Sequence, residues 1–168
     1  MIIQRQLQLD DNEILNLIER GGEWKNSRVV NTNYNDKRKS QDITIPLTND
    51  SFLLDKLKPL GIKSLPSFCK VIRYREGDKF DKHKDTGEQY QERFKTLVIQ
   101  LSTPEEYTGG QLRVYYNDTS IEANKSKYNC IMFPSNLMHE ARAIESGERI
   151  CLIMWLTKDM MGVSRTII

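Results

Sequence analysis

The sequence predicts a mainly β domain of the α+β class, in which a double-sheet barrel of the jelly-roll type carries helices on its outside. Two helix patterns lie in the N-terminal part, and about eight short strand patterns follow, separated by turn-forming residues. Helices followed by many short strands are typical of this architecture. We see no internal repeat or linker. We therefore expect one domain over residues 1–168, with helical support in about 1–65 and the β core in about 66–157.

The first elements are a strand and a helix. Residues 3–9 alternate apolar or arginine side chains with glutamines, which is the period of a strand. Asp10 is a helix N-cap with Glu13 three residues later, and the helix carries an apolar face over 14–18. The two glycines at 21–22 end that helix.

A second strand and helix are predicted before the β core. Residues 43–47 form a short apolar strand, and the polar run 48–51 offers N-caps for a helix over 52–57. Pro59 and Gly61 stop this helix.

The β core is predicted from the residue after Ser67 onward, from short apolar runs bounded by Gly, Pro, Asn and Asp. The expected strands are Phe68–Tyr74, Lys79–Lys84, Phe94–Leu101, Gln111–Tyr116, Ser120–Ala123, Tyr128–Phe133, His139–Ala143 and Arg149–Leu156.

Composition excludes several classes of protein. The chain of 168 residues has a net charge of +2 and 38% hydrophobic residues, so charge alone gives no reason to expect a nucleic-acid partner. No apolar run reaches the roughly 20 residues of a membrane helix, and we see no signal peptide. Three cysteines cannot all pair and fit no zinc motif. We therefore expect reduced thiols and a cytoplasmic location.

A metal site is predicted from the two histidines of the chain, His83 and His139. Residues i and i+2 of a strand point to the same face, so His83 and Asp85 project together while Lys84 points away. Such a triplet alone is weak, because it arises often by chance. With His139 from another strand it makes a 2-His-1-carboxylate set, the arrangement of non-haem Fe(II) oxygenases.

Arg149 and Tyr74 are candidates for binding a carboxylate beside that metal. The planar guanidinium grips a carboxylate with two donors, and the Tyr74 hydroxyl could add a third. We expect 139–143 and 149–156 to form a hairpin with a loop over 144–148, so that His139 and Arg149 share a face and Ala143 lies opposite Arg149. Taken singly, Arg149 is more often a surface ion pair and Tyr74 a core aromatic; both histidines together with these two residues favour the site.

Ordered motifs then resemble a known family, the 2-oxoglutarate- and Fe(II)-dependent oxygenases of the prolyl 4-hydroxylase type. The motifs are Tyr74-x-x-Gly77-x-x-Phe80-x-x-His83-x-Asp85, Gly109-Gly110-x-Leu112, Phe133-Pro134-Ser135-x-x-x-His139, Gly147-x-Arg149 and Trp155. The resemblance implies a double-stranded β-helix (jelly-roll or cupin-like) core. It also implies iron held by His83, Asp85 and His139.

The resemblance further implies that 2-oxoglutarate binds the iron and places its far carboxylate on Arg149 and Tyr74. Thr96 matches a position that often assists there, and Cys151 packs by the cosubstrate. The implied cofactors are Fe(II), 2-oxoglutarate and O2, with ascorbate as a candidate reductant. Arg149 departs from collagen-type prolyl hydroxylases, which usually carry Lys there, and Cys151 stands where many relatives have Ser or Thr. Both departures weaken the expectation of a collagen-like substrate.

Three functions follow as hypotheses. The first is hydroxylation of a peptidyl residue, prolyl first, with succinate and CO2 released; the second is the same chemistry on a free amino acid, a small metabolite or a nucleobase. The third is a metal-binding barrel without turnover. Residues 24–41 are expected to form either a solvated loop, with a strand near 28–30, or a flap over the substrate. Together with residues 86–93 they would form a substrate groove. Candidate substrate contacts are Trp24, Tyr34, Tyr90 and Trp155, the last equally open to core packing.

Overall fold

The structure, a computed structural model, describes residues 1–27, 37–48 and 51–164, with Ser51 described by its backbone alone. Within these ranges the helices are α1 (Asp11–Glu19) and α2 (Ser51–Leu57), with single 3-10 turns at Lys58–Leu60, Pro104–Glu106 and Asp159–Met161. The strands are β1 (Ile3–Gln6), β2 (Lys25–Asn26), β3 (Arg38–Lys39), β4 (Gln41–Pro46), β5 (Phe68–Tyr74), β6 (Lys79–His83), β7 (Lys95–Gln100), β8 (Tyr107–Gly109), β9 (Leu112–Tyr116), β10 (Thr119–Glu122), β11 (Asn129–Pro134), β12 (His139–Ala141), β13 (Ile144–Gly147) and β14 (Arg149–Leu156).

Two antiparallel sheets form the body of the protein. The larger has seven strands in the order β1-β11-β7-β14-β5-β4-β2, and the smaller has five in the order β10-β9-β12-β6-β3. A short pair of β13 and β8 closes one end. Apolar side chains from both sheets, among them Ile72 and Val114, share one buried cluster between them. This arrangement confirms the predicted jelly-roll fold.

The larger sheet separates two cores because its side chains alternate between its faces. On β14, Leu152, Met154 and Leu156 pack toward α1 and α2, while Cys151 packs toward the smaller sheet. The face toward the helices is filled with aliphatic side chains. The opposite face is only partly filled, and this leaves a cavity between the sheets.

The predicted elements are found with modest shifts at their ends. All eight strands expected after Ser67 are present. The N-cap of α1 is also confirmed, because the Asp10 carboxylate accepts from the backbone N–H groups of Asn12 and Glu13, at 2.9 and 3.1 Å. The first strand ends at Gln6 instead of residue 9. None of the described helices is long and apolar enough to cross a bilayer.

The expected hairpin before Arg149 is wrong. Arg149 lies opposite Tyr74 of β5, not opposite Ala143, because residues 144–147 form β13 and pair with β8. Gly147 has φ +80° and lies so close to Glu106 that a Cβ there would meet the Glu106 carbonyl. This glycine lets the chain leave β13 and enter the larger sheet. His139 and Arg149 therefore come from different sheets and meet across the cavity.

The segment 24–41 is also not simply a loop. Its described parts include β2, which pairs with β4, and β3, which pairs with β6. The strand expected near 28–30 and the side chain of Tyr34 lie outside the described residues.

Candidate functional site

A cavity of about 570 Å³ lies between the two sheets. Side chains of the neighbouring strands β5 and β14 face this cavity in directly opposed pairs. Tyr74 pairs with Arg149, and Ile72 pairs with Cys151. We call the region lined by these four residues the inner half. The outer half comprises Phe68, Lys70, Ile153 and Trp155 on the same strands, together with Arg38, Lys84, Tyr90, Arg93 and the residues between 85 and 90.

The predicted metal ligands lie together on the wall between the two halves. His139 on β12 is the direct partner of His83 on β6, and Asp85 follows just beyond the end of β6. The Asp85 Oδ1 atom lies 3.3 Å from the Nε2 atom of each imidazole. One ligand atom from each residue falls within 4.8 Å of the others. The set His83, Asp85 and His139 could therefore hold one metal ion.

A β-bulge shapes this wall. Between β12 and β6 the partners shift from His139 with His83 to Ala141 with Phe80, so two residues of β6 between these pairs face one of β12. The bulge puts Phe80 and His83 on the same face, and their rings stack at 3.5 Å between centroids. Phe133 packs edge-on against His139 at 4.8 Å. Both imidazoles are thus held by aromatic neighbours.

Backbone carbonyls determine the tautomer of both imidazoles. The Nδ1 atom of His83 lies 2.7 Å from the carbonyl oxygen of Asp81, and that of His139 lies 2.9 Å from the carbonyl oxygen of Leu137. A carbonyl oxygen only accepts, so each Nδ1 carries the proton and donates it. In the neutral form each Nε2 then presents a lone pair, which is what a metal requires.

The three acceptors that converge here favour a cation between them. Two Nε2 lone pairs and the Asp85 carboxylate face one another, and burial lowers the pKa of His83, which favours the neutral imidazole. Burial alone would raise the pKa of Asp85, but the His139 and His83 imidazoles beside its carboxylate hold it well below the usual range. A carboxylate and two neutral imidazoles suit a divalent first-row metal.

The second oxygen of Asp85 is held by two donors. The Thr96 hydroxyl donates to Oδ2 at 2.7 Å, and the Trp155 indole N–H donates to the same atom at 3.0 Å. The Ser135 Oγ atom lies 2.9 Å from Thr96 Oγ1. The backbone N–H of Asp85 donates to the Ser135 carbonyl oxygen at 2.9 Å. With Oδ2 occupied, Oδ1 is left to face the imidazoles.

Arg149 closes the inner half and is 2% exposed. Its Nε–H donates to the Gln100 side-chain oxygen at 3.1 Å, and its guanidinium carbon lies 5.3 Å from the centre of the Tyr74 ring. The Tyr107 side chain also lies beside it. No Asp or Glu ion pair reaches Arg149 in the part of the chain that the structure describes. A buried cation without a carboxylate is costly unless an anion binds beside it.

The charge states of this region suit the binding of an anion. Burial by itself would lower the pKa of Arg149, but Cys151, Tyr74 and Tyr107 raise it overall, so the guanidinium stays charged. Burial raises the pKa of Tyr74 to about 12. The Tyr74 hydroxyl therefore keeps its proton and remains a donor.

The outer half is formed by side chains further along β5 and β14 and by the segment after Asp85. Arg93 is sandwiched between Tyr90 and Trp155, at 3.7 and 3.8 Å from their ring centres, and donates to the Asp85 carbonyl at 3.3 Å. Lys84 lines the opening, which corrects the expectation that it points away. The reason is that β6 ends at His83, so strand alternation no longer applies to Lys84.

Two of the predicted contacts are placed elsewhere. Thr96 lies behind Asp85, fully buried, instead of on the cavity wall. Trp24 packs against the core on the helix side of the larger sheet, with the Arg73 guanidinium 4.3 Å from its ring centre, so it does not reach the cavity. Tyr90, Trp155 and Cys151 do line the cavity.

Sequence reasoning missed Gln100 and Arg93, and it gave Ser135 as part of a motif without its contacts to Asp85 and Thr96. Ser135 begins the turn between β11 and His139, and Gln100 is a polar residue at the end of the apolar run 97–99. A buried polar residue in such a run signals a specific hydrogen bond. Arg93 gave no signal, because it lies in a mixed-charge segment.

Comparison with known proteins agrees with this geometry. A family model described as the 2OG-Fe(II) oxygenase superfamily matches residues 69–157. A PKHD-type hydroxylase of Acaryochloris marina is 29% identical over 94 residues, which are 55% of this chain and 43% of that protein. A PKHD-type hydroxylase of Shewanella sp. (strain ANA-3) is 31% identical over 91 residues, 50% of this chain and 40% of that protein. The chain thus spans less than half the length of these relatives.

Solved structures share the fold. A Pseudomonas putida prolyl-4-hydroxylase superposes with a TM-score of 0.69 at 20% identity, covering 93% of this chain and 92% of that chain. A prolyl hydroxylase from Trichoplax adhaerens, in complex with a hypoxia inducible factor peptide fragment, gives 0.70 at 17% identity, covering 98% of this chain and 87% of that chain. At these identities the likeness establishes the architecture.

Proposed function

This chain belongs to the 2OG-Fe(II) oxygenase superfamily. We propose that it hydroxylates a C–H bond of a peptidyl residue, with a prolyl residue as the first candidate. The observation that carries the proposal is the pairing of two features in one cavity. Three metal-ligand atoms converge on one wall, and further in lies a buried guanidinium that forms no ion pair with a carboxylate of the described residues. A keto acid with a second carboxylate matches both features at once.

Different residues would bind the metal and the cosubstrate. His83, Asp85 and His139 would hold Fe(II), and Arg149 with Tyr74 would bind the far carboxylate of 2-oxoglutarate. Gln100 orients the Arg149 fork through its Nε hydrogen bond, so that the remaining donors are free for a carboxylate. When bound, Fe(II), 2-oxoglutarate and O2 supply the oxidation, in which 2-oxoglutarate leaves as succinate and CO2 and the substrate gains a hydroxyl.

Other residues hold the ligands in position and exclude water. Thr96 and Trp155 fix the Asp85 carboxylate, and the carbonyls of Asp81 and Leu137 fix both imidazole planes. Apolar side chains of the inner half, Ile72 and Cys151 among them, make it a dry pocket. Such fixed surroundings lower the cost of reorganisation during the reaction.

A peptidyl substrate is supported by the open outer half and by the relatives. The outer half continues the cavity past the metal wall to exposed Phe68 and Tyr90, which gives room for a segment of chain. A structural neighbour, the Trichoplax adhaerens prolyl hydroxylase, holds a peptide fragment. The PKHD-type relatives are named as hydroxylases.

The test is turnover with mass analysis. The Fe(II)-loaded protein is incubated with 2-oxoglutarate, O2 and a library of proline-containing peptides, while succinate and peptide mass are followed. We expect succinate release in step with the mass of one added oxygen on the peptide. Succinate in step with oxidation of an added amino acid or metabolite, and of no peptide, would contradict the peptidyl assignment.

A further inference from the structure

We infer that the outer half of the cavity binds an acidic peptide segment, with carboxylates flanking the residue to be hydroxylated. This inference rests on the proposed function and names its substrate class. It starts from the charges around the opening. Four cations line the outer half, from Arg38, Lys70, Lys84 and Arg93. Apart from Asp85, which faces the imidazoles, Glu88 is the acidic residue among the described residues that line it.

Three of these cations, Lys70, Lys84 and Arg93, are only partly compensated by the carboxylates of the described residues. Lys70 lies 3.7 Å from Asp42, a carboxylate that also accepts from Ser27. Lys84 and Arg93 have no ion pair with an Asp or Glu side chain among residues 1–27, 37–48 and 51–164. Arg93 is packed between the rings of Tyr90 and Trp155, at 3.7 and 3.8 Å from their centres, which removes its charge partly from water at a cost. A carboxylate from a ligand would offset that cost.

The distribution of the cations indicates a peptide more than a small anion. Arg38 lies on β3, Lys70 on β5, Lys84 after the end of β6, and Arg93 before β7. They stand on four segments around one opening, so a compact metabolite on the metal wall would leave several of them unused. An extended segment of chain that crosses the opening can meet them in turn.

Aromatic surface lies between these charges. Phe68 and Tyr90 are 37% and 36% exposed, and both line the opening. Peptide interfaces combine exposed aromatic anchors with a charged rim that selects the partner. The whole chain carries a net charge of only +2, so the excess of positive charge is a property of this opening and does not indicate general affinity for nucleic acid.

The first experiment compares two matched peptides. Both contain a central proline, one flanked by Asp and Glu and the other by Asn and Gln at the same positions. Affinity is measured by fluorescence anisotropy, with Zn(II) in place of Fe(II) and with 2-oxoglutarate present, so that no turnover intervenes. We expect the acidic peptide to bind about tenfold more tightly at low salt, with a preference that falls as salt rises.

Two outcomes overturn the inference. One is equal affinity for the two peptides, and the other is tighter binding of a single-stranded oligonucleotide of similar length. The same peptides under turnover conditions separate this inference from the proposed function. Preferred binding of the acidic peptide without hydroxylation would support the inference and contradict the proposed hydroxylation. Equal binding and equal hydroxylation of both peptides would contradict the inference and support the proposed hydroxylation.

A pair of variants gives the matched control. Lys84→Glu reverses a charge at the opening, whereas Lys82→Glu makes the same change on β6, where the Lys82 ammonium lies 4.1 Å from the Tyr115 ring centre and away from the cavity. We expect Lys84→Glu to abolish the preference and Lys82→Glu to retain it. Equal loss in both variants would mean that net charge alone sets the preference, and the inference would fall. Retained metal affinity in both shows that they fold.

Discussion

The inner and outer halves of the cavity differ in how their side chains are held. In the inner half Arg149 and Tyr74 are paired across two central strands of the larger sheet, and both are nearly inaccessible to solvent. The outer half also draws on β5 and β14, but its other lining side chains come from the short strand β3 and from the segment after His83, and Phe68 and Tyr90 are exposed. Central strands fix positions closely, whereas strand ends and loops tolerate change.

This difference indicates where each part of the function is encoded. The groups that bind the metal and cosubstrate must be held to within a fraction of an ångström, so they stand on paired strands or have several hydrogen bonds. The groups that meet a substrate vary without harming the chemistry. Substitutions in the inner half and on the metal wall should therefore change iron or cosubstrate binding. Those in the outer half that do not touch Asp85 should change substrate binding alone.

The largest effect is expected for His139→Ala on the metal wall. Loss of one of three ligands should abolish Fe(II) retention, measured as iron bound per protein after desalting. The control is Glu140→Ala, whose side chain bonds to the Tyr115 hydroxyl on the other face of β12 and should leave iron bound. Iron at full occupancy and continued turnover in His139→Ala would refute the ligand set.

Arg149→Ala should weaken 2-oxoglutarate binding by about 100-fold, since truncating one member of a buried charge pair costs roughly 3 kcal/mol. Fe(II) affinity should stay unchanged, because the metal wall is on the other sheet. Arg149→Lys keeps the charge and loses the planar fork, so an intermediate loss is expected. Calorimetric titration measures all three proteins. An unchanged affinity in Arg149→Ala would show that another residue holds the far carboxylate.

Thr96→Val should lower metal affinity by about tenfold, the usual scale for losing a hydrogen bond that orients a ligand. The substitution removes the donor to Asp85 Oδ2 and keeps the shape of the side chain. Thr96→Ser retains the hydroxyl and should bind metal like the parent protein. Competition against a chelator measures both. If Thr96→Val instead weakened 2-oxoglutarate and left metal affinity intact, the original assignment of Thr96 to the cosubstrate would be correct.

The smallest effect is expected for Phe68→Ala in the outer half. Fe(II) and 2-oxoglutarate affinities should stay within about twofold of the parent protein, while peptide KM rises roughly fivefold through loss of about 1 kcal/mol of apolar contact. Parallel titrations and turnover assays measure this. A change in 2-oxoglutarate affinity as large as that of Arg149→Ala would erase the distinction between the two halves.

Much of the site follows from the sequence because its chemistry is restrictive. A chain with two histidines offers one imidazole pair, and the spacing of His83 and Asp85 puts a carboxylate beside one of them. The structure brings these residues together with His139. The eight core strands also follow from local apolar patterns bounded by turn residues, since these are properties of neighbours in the chain.

What sequence could not give depends on contacts between distant segments. The pairing of β13 with β8 is set by a close approach of Gly147 to Glu106, and no local pattern predicts it. The bonds from Thr96 and Trp155 to Asp85 join residues 11 and 70 positions apart. Lys84 was misplaced because strand alternation was extended one residue past the end of β6.

The central proposal is that the metal wall and Arg149 together bind Fe(II) and 2-oxoglutarate in one cavity. The most direct test is an anaerobic titration of the Fe(II)-loaded protein with 2-oxoglutarate, followed by visible absorbance. We predict a saturable charge-transfer band between iron and 2-oxoglutarate that is absent without iron. In the Arg149→Ala variant the same band should appear only at a much higher concentration of 2-oxoglutarate. A folded, iron-loaded protein that shows no band at any concentration would contradict the proposal and favour a metal-binding barrel without turnover.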